Sequence, residues 1–446
     1  MSVALCQGKG LNEVIGEITK YRRHIKGRCE VDDGLPAIFN EYMHLSWDSP
    51  DEENTKKTAR VVAETGVEYY VIDCGWHNED PGFEVYPYVG QWRESKTRFP
   101  HGIRAITDYI RSLGLKAGLW IEPEIVGWKC EEMLGYYDDC FITRRGKRVA
   151  TMGRYFLDFR NQKVIDYMSE TIRRMVEDYG ADYIKTDYNQ DLGVGTDKDS
   201  DSYGDGLEQC SKAYLGWIDD MRRTYPNVLF ETCSSGGMRM DYETLKHFSI
   251  ISTSDQTDYR KYPYIAGNIL SAVLPEQAAV WSYPVAVGIE PNTKIAITKE
   301  WVEKNISKEQ VIMNMINSFL GRMHLASDLS ELSDEKFVLV KEGVDYYKKL
   351  SVIKTSLLPF FPIGFTDFSK RFVCTGLKTS FGQEKIYLAV WNMKGEREKS
   401  VFIGNRFKNI VCSYPEKQSE VAFTLEDGLL KLRFSEDYQA RFFEIY

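Results

Sequence analysis

Lys185, Asp187 and Asn189 stand two residues apart in the stretch ADYIKTDYNQ (181–190), directly behind the apolar pair Tyr183-Ile184. In an extended strand that spacing turns all three side chains to one face. An ammonium two positions from a carboxylate favours its ionised form, the state a carboxylate nucleophile must be in. The same residues could equally be an exposed strand end, where such a pair does little, so their meaning depends on the elements around them.

Those elements alternate. From Pro36 onward an apolar run, a polar or aromatic exit and a helical stretch recur. The runs are AIFNEY (37–42), EYYVIDCGW (68–76), LKAGLWIEPE (115–124), ADYIKTDYN (181–189), VLFETCSSGG (228–237), FSIISTSDQTD (248–258), QAAVWSY (277–283) and MHLASDLSEL (323–332). Eight such units predict an α/β fold, the (β/α)8 or TIM barrel, whose strands read as continuous apolar runs because both faces are covered. Ahead of them, Leu11–Ile25 has the periodicity of one amphipathic helix. After Leu350 the period drops to two, in segments such as FVCTGLK, KIYLAVWNM, LLKLRF and ARFFEIY, which predicts a C-terminal antiparallel β-sandwich. Pro359 and Pro362 mark the expected change of rhythm. The expected division is an N-terminal helical extension at 1–35, a catalytic barrel at 36–352 and a β-sandwich domain at 353–446.

In such a barrel chemistry sits at the C-terminal ends of the strands. Here those ends carry Asp73, Trp76, Glu122, Glu124, Lys185, Asp187, Asn189, Cys233, Ser234 and Asp255. A rim built only for stability does not require carboxylates on so many strands. Asp187 on the fourth strand and Asp255 on the sixth would face each other across the mouth. Such a pair suits double displacement at a glycosidic carbon: one carboxylate attacks, while the other first protonates the departing oxygen and then activates water. Glu122 and Glu124 fit a simpler role equally well, as rim carboxylates paired with a neighbouring Lys or Arg.

Composition narrows the classes further. With 57 Lys and Arg against 66 Asp and Glu the net charge is −9, and no dense basic run is present, which argues against a nucleic-acid partner. No segment approaches the ~20 apolar residues of a membrane span, and the first residues lack a basic start followed by an apolar stretch, so no membrane association is expected. Nine cysteines without pairing rhythm suggest reduced thiols and a cytoplasmic setting. Six histidines include no HExxH or other paired ligand motif, so neither a metal nor another cofactor is expected.

The motifs YIKTDYN, WIEPEIV (120–126), VIDCGW (71–76), GQWRESKTRFPHG (90–102), LFETCSSGGMRMD (229–241) and TSDQTD (253–258) follow one another as in glycoside hydrolase family 36. Over 36–446 the chain resembles that family of α-galactosidases and α-N-acetylgalactosaminidases, part of the melibiase superfamily. The resemblance implies a retaining, exo-acting α-glycosidase acting on terminal α-linked galactose or a related galacto-configured sugar, with an oligosaccharide or glycoside as substrate. It implies that Asp187 is the nucleophile and Asp255 the general acid/base. Lys185 and Asn189 would hydrogen-bond sugar hydroxyls, and Asp73 would hold the O4/O6 side. Trp92 would line the sugar site with Trp76 nearby; Cys233, Gly236 and Gly237 would wall it near C2, and Arg154, ahead of LDF (157–159), would join it. Three features depart from the family pattern. The family's large N-terminal β-sandwich, which takes part in oligomerisation, is not matched, which leaves the oligomeric state open. Thr186 replaces a common Trp, and Cys74 stands where α-galactosidases pair a second aspartate with Asp73. A thiol holds hydroxyls poorly. The glycone could therefore differ from plain galactose, and an α-N-acetylgalactosaminidase, a transglycosylase and a catalytically silent carbohydrate-binding barrel stay as alternatives.

Overall fold

The computed structural model describes residues 4–446 except 28, 78, 80–84, 136–137, 287–296, 381 and 383. Eight strands close a barrel: β1 Ile38–Asn40, β2 Tyr69–Ile72, β3 Lys116–Ile121, β4 Tyr183–Thr186, β5 Leu229–Thr232, β6 Ile250–Ser252, β7 Ala278–Ser282 and β8 Arg322–Leu325. Their order around the barrel is β1-β8-β7-β6-β5-β4-β3-β2, and neighbouring strands are parallel. The expected (β/α)8 barrel is therefore present. Its interior is filled by Ile38, Tyr69, Val71, Tyr183, Leu229, Ile250 and Ala279, a packed layer and not a pore. Gly118 makes room for the tyrosine in that layer: a Cβ there would come within 2.8 Å of Val71 Cγ2 and 3.0 Å of Tyr183 Cβ. The helices outside begin where side chains satisfy free backbone N–H groups. Asp51, Asn161, Ser202, Asp241 and Ser307 each accept such a bond.

The period-two segments form two antiparallel sheets. The five-stranded one runs Leu357–Phe360, Phe372–Thr379, Ile386–Asn392, Gln439–Ile445, Ile410–Tyr414; the three-stranded one runs Glu398–Phe402, Leu429–Phe434, Val421–Glu426. Cys374, Leu388 and Val390 of the first pack against Val401, Leu430 and Leu432 of the second, as a sandwich requires. Pro359 is a correction to the sequence reading, since it lies inside the strand Leu357–Phe360 instead of marking the break before it. That strand is at the edge of its sheet, where a residue without an N–H costs no ladder bond. The helix Leu11–Ile25 packs beside it, the Asn12 amide exchanging bonds of 2.7 and 3.2 Å with the Phe361 backbone. The other face of this sheet meets the barrel helix Lys308–Phe319 through Phe442, edge-on to Phe319 at 5.3 Å, and Trp391, which donates to Asn317 at 3.0 Å, while buried Arg441 grips Glu309 of the same helix at 2.7 and 2.8 Å.

Candidate active site

The strand register decides what gathers at the mouth. Trp120 on β3 and Glu231 on β5 both lie level with Lys185 on β4, and β4 delivers Asp187 one residue beyond its end. Asp187 is held by four N–H donors. Its Oδ2 accepts from the Trp120 indole at 3.1 Å and the Asn189 amide at 2.9 Å, and its Oδ1 from the Tyr188 and Ser235 backbones at 2.7 and 3.3 Å. Donors of this kind favour a carboxylate in its ionised form. The sequence reading gave that role to Lys185, and here the structure differs. The Lys185 ammonium reaches Asp73 Oδ2 at 2.8 Å, because alternation along β4 places it one layer deeper, level with the end of β2. Thr186 points the other way and is buried, its hydroxyl on the Glu231 carbonyl at 2.9 Å, so its identity does not shape the wall of the mouth.

Asp73 already accepts three hydrogen bonds from within the protein. Besides Lys185 it accepts from Asn40 Nδ2 at 2.5 Å and from the Cys74 backbone at 2.9 Å. Cys74 is buried beside it. Burial, then the charges of Asp48, Asp73, Glu122 and Asp187, push its thiol pKa well above the ordinary value, so it stays protonated. The two tryptophans expected near the sugar lie behind Trp120. Trp76 is fully buried and donates Nε1 to the Trp120 carbonyl at 2.8 Å. Trp92 is buried too, its ring edge-on to Trp120 at 5.8 Å between centroids. Trp92 packs on the indole that holds Asp187, Trp76 holds the backbone of the same residue, and Trp120 is itself fully buried. In the sequence it reads as a core residue of β3.

Asp255 comes from the loop after β6, against which the loop after β5 is pressed. A Cβ on Gly236 would lie 2.7 Å from the Asp255 nitrogen, and one on Gly237 would lie 2.4 Å from the Thr253 carbonyl oxygen. Only glycines allow this approach, and Gly236 (φ 82) also has the left-handed backbone they tolerate. Cys233, at the start of the same loop, is buried and donates its N–H to the Thr186 carbonyl at 2.7 Å. Ser235 and Gly236 thus bridge the two carboxylates, one through an N–H to Asp187 and the other through contact with the Asp255 backbone. The Asp255 side chain is exposed to solvent on one side and hemmed in by protein on the others. That enclosure raises its pKa to about 6, Lys185 lowers it, and the charges of Asp187 and Asp73 add to the rise.

Arg154 sits on a small sheet that grows out of the loop after β3, formed by Ile125–Gly127, Ala150–Thr151 and Arg154–Phe156. It is buried, stacked over the Tyr86 ring at 4.0 Å and 3.7 Å from Glu122 Oε1. Its Nε and Nη1 have no hydrogen-bond partner among the described residues. Glu122 accepts the Asn189 N–H at 2.7 Å, and burial raises its pKa to about 8 against the pull of Arg154. Glu124 is an ion-pair carboxylate, gripped by Arg239, which lies 3.6 Å over the Tyr188 ring and ties the β5 loop to the β3 loop.

A (β/α)8 barrel with carboxylates and hydrogen-bond donors converging on the C-terminal ends of its strands is the class that fold and site define. Within that class the chain belongs to the melibiase family, whose model matches residues 2–355. Curated relatives include an α-galactosidase of Lactobacillus acidophilus, 27% identical over 323 residues covering 72% of this chain and 41% of that protein. The α-galactosidase AgaA of Geobacillus stearothermophilus is 29% identical over 349 residues, covering 76% of this chain and 44% of that protein. The matched stretches thus cover less than half the length of these relatives. A crystal structure of AgaA in complex with raffinose matches with TM-score 0.80 at 19% identity, over 98% of this chain and 59% of that one. At that identity the likeness concerns the fold. Among the described residues no helix is long and apolar enough to cross a membrane.

Proposed function

We propose that this chain is a retaining, exo-acting α-glycosidase that hydrolyses terminal α-linked galactose or a closely related galacto-configured sugar. The observation that carries the reading is the contrast between its two rim carboxylates. Asp187 is ringed by four N–H donors, whereas Asp255, a loop away, has its pKa raised to about 6 and accepts no hydrogen bond among the described residues. Paired carboxyl groups with environments that push them apart divide naturally into nucleophile and acid. An oxygen of Asp187 attacks C1 as the C1–O bond to the aglycone breaks, and the departing oxygen takes the proton of Asp255. Water then gives a proton to the Asp255 carboxylate and attacks C1, breaking the ester to Asp187 and returning both groups to their starting states. The names of the curated relatives support the galacto configuration, and Arg154, Lys185, Asn189, Asp73 and the Cys233–Gly237 loop are the residues proposed to hold the sugar.

The test is hydrolysis of p-nitrophenyl α-galactoside with Asp187→Ala and Asp255→Ala. Asp187→Ala should lose all turnover. Asp255→Ala should retain the first step, because p-nitrophenolate leaves without a proton, and azide should intercept the β-galactosyl intermediate as the α-galactosyl azide, whereas Asp187→Ala could yield only the β-azide by direct displacement. An α-azide formed only by the Asp187 variant would exchange the two roles.

A further inference from the structure

Next to Asp73 the structure holds a second carboxylate that the motifs do not mark. After β1 the chain turns through Tyr42–Ser46 and returns over the end of β2. His44 (φ 57) and Trp47 (φ 49) take the left-handed backbone that makes the return possible. The returning segment lies directly on residues 73–75. A Cβ on Gly75 would stand 2.2 Å from the Asp48 carbonyl oxygen, which accepts from Arg98 Nη1 at 2.6 Å. The same loop is pinned to the segment carrying Asp255, His44 Nε2 meeting the Thr257 carbonyl at 3.0 Å. Asp48 thus lies against the end of β2 beside Asp73, on a loop that His44 ties to the segment carrying Asp255.

Its carboxylate is only half used. The Tyr42 hydroxyl and the Cys74 thiol lie beside it and partly offset a burial that pushes its pKa up, while Oδ1 is buried without any hydrogen-bond partner among the described residues. Asp73 shows the opposite state, with three protein donors on its two oxygens. A carboxylate offers about four acceptor positions, so Asp73 has little capacity left and Asp48 has most of one oxygen free. A buried acceptor without a donor is unfavourable, and a polyol brings the donor with it.

We propose that Asp48 is a glycone-recognising residue that accepts a hydrogen bond from one sugar hydroxyl on the Asp73 side, and that Cys74 serves it as a thiol donor instead of touching the sugar. The inference rests on the galacto-configured reading above and adds the group that discriminates the glycone. Cys74 also explains how so acidic a corner is tolerated, since a neutral thiol separates the carboxylates of Asp48 and Asp73.

The test is binding of D-galactose, 4-deoxygalactose and 6-deoxygalactose, measured by calorimetry on the wild type and on Asp48→Asn. In the variant Tyr42 and Cys74 hold the amide carbonyl, which turns the NH2 group towards the sugar. Galactose should weaken by about ten- to a hundredfold, while the one analogue that lacks the recognised hydroxyl should bind both proteins within about twofold. An equal loss on all three sugars, an unchanged affinity for galactose, or no binding of any of the three by the wild type would each overturn the assignment. Asp48→Ser, which keeps the loop with a shorter side chain, gives the same comparison if the amide variant does not fold. Release of p-nitrophenol from p-nitrophenyl α-galactoside by the wild type reads the catalytic proposal separately. Selective loss of galactose binding without turnover would keep Asp48 and discard hydrolysis, and turnover without selective loss would do the reverse.

Discussion

Cys74→Asp would place a carboxylate where strand β2 now carries a thiol, and a reading confined to the sequence makes this a gain for plain galactosides. The structure reverses the sign. The thiol lies beside Asp48 and among the carboxyl groups of Asp48, Asp73, Glu122 and Asp187. Two carboxylates about 4 Å apart at an effective dielectric of about 20 repel by about 4 kcal/mol, the equivalent of about three pKa units. One of the pair would therefore keep its proton in the folded protein far above the unfolded value of about 4. A group whose folded pKa is raised makes the folded state bind the extra proton, so stability falls as pH rises from about 4 to about 7. The variant should match the wild type near pH 4 and trail it by about 4 kcal/mol at pH 7. Thermal unfolding across that range is the assay, alongside kcat/KM for p-nitrophenyl α-galactoside at neutral pH, expected to drop at least tenfold. Adding Asp48→Asn should remove the pH-dependent deficit. A Cys74→Asp variant that is more active than the wild type, or a deficit that does not change with pH, would refute the reasoning.

Two further outcomes follow from the same structure. The basic limb of the pH profile of kcat/KM should reflect Asp255, whose pKa is about 6; Lys185 lowers that value, so Lys185→Met should move the limb to higher pH even as activity falls. A limb that stays in place would take Asp255 out of the acid role. Away from the site, Glu309→Ala should cost about 3 kcal/mol, because it takes from the fully buried Arg441 its two-pronged partner and leaves only the half-exposed Glu420 at 3.4 Å, whereas Glu309→Leu with Arg441→Met should cost much less. Chemical denaturation reads both, and equal losses would mean the ion pair itself stabilises the junction.

The barrel was legible because parallel strands buried on both faces leave uninterrupted apolar runs, and Lys185, Asp187 and Asn189 were legible because period two survives in any extended strand. What the spacing cannot show is the partner. Lys185 answers to Asp73, 112 positions away, because closing the barrel sets β2 and β4 either side of β3. Trp120 was hidden for a related reason: an indole inside an apolar run reads as packing, and only the register of β3 on β4 turns its N–H to Asp187. Asp48 was hidden more deeply. Its place depends on a return loop built from His44 and Trp47 in left-handed backbone, a conformation that non-glycine residues take without leaving a sequence signal. Gly75, Gly236 and Gly237 did leave one, though it was read as a wall near C2 for the last two. Their contacts show a different physical need, the direct stacking of one strand-end loop on the next, with no side chain between. That need is shared by the two sides of the mouth: Gly75 brings Asp48 down onto Asp73, and Gly236 brings the Asp187 bridge up to Asp255. The spacing of Asp48 to Asp73, and of the Asp187 bridge to Asp255, is therefore set by backbone contacts, and a methyl group at either glycine should disturb the acid and the sugar-holding carboxylates before it touches the nucleophile.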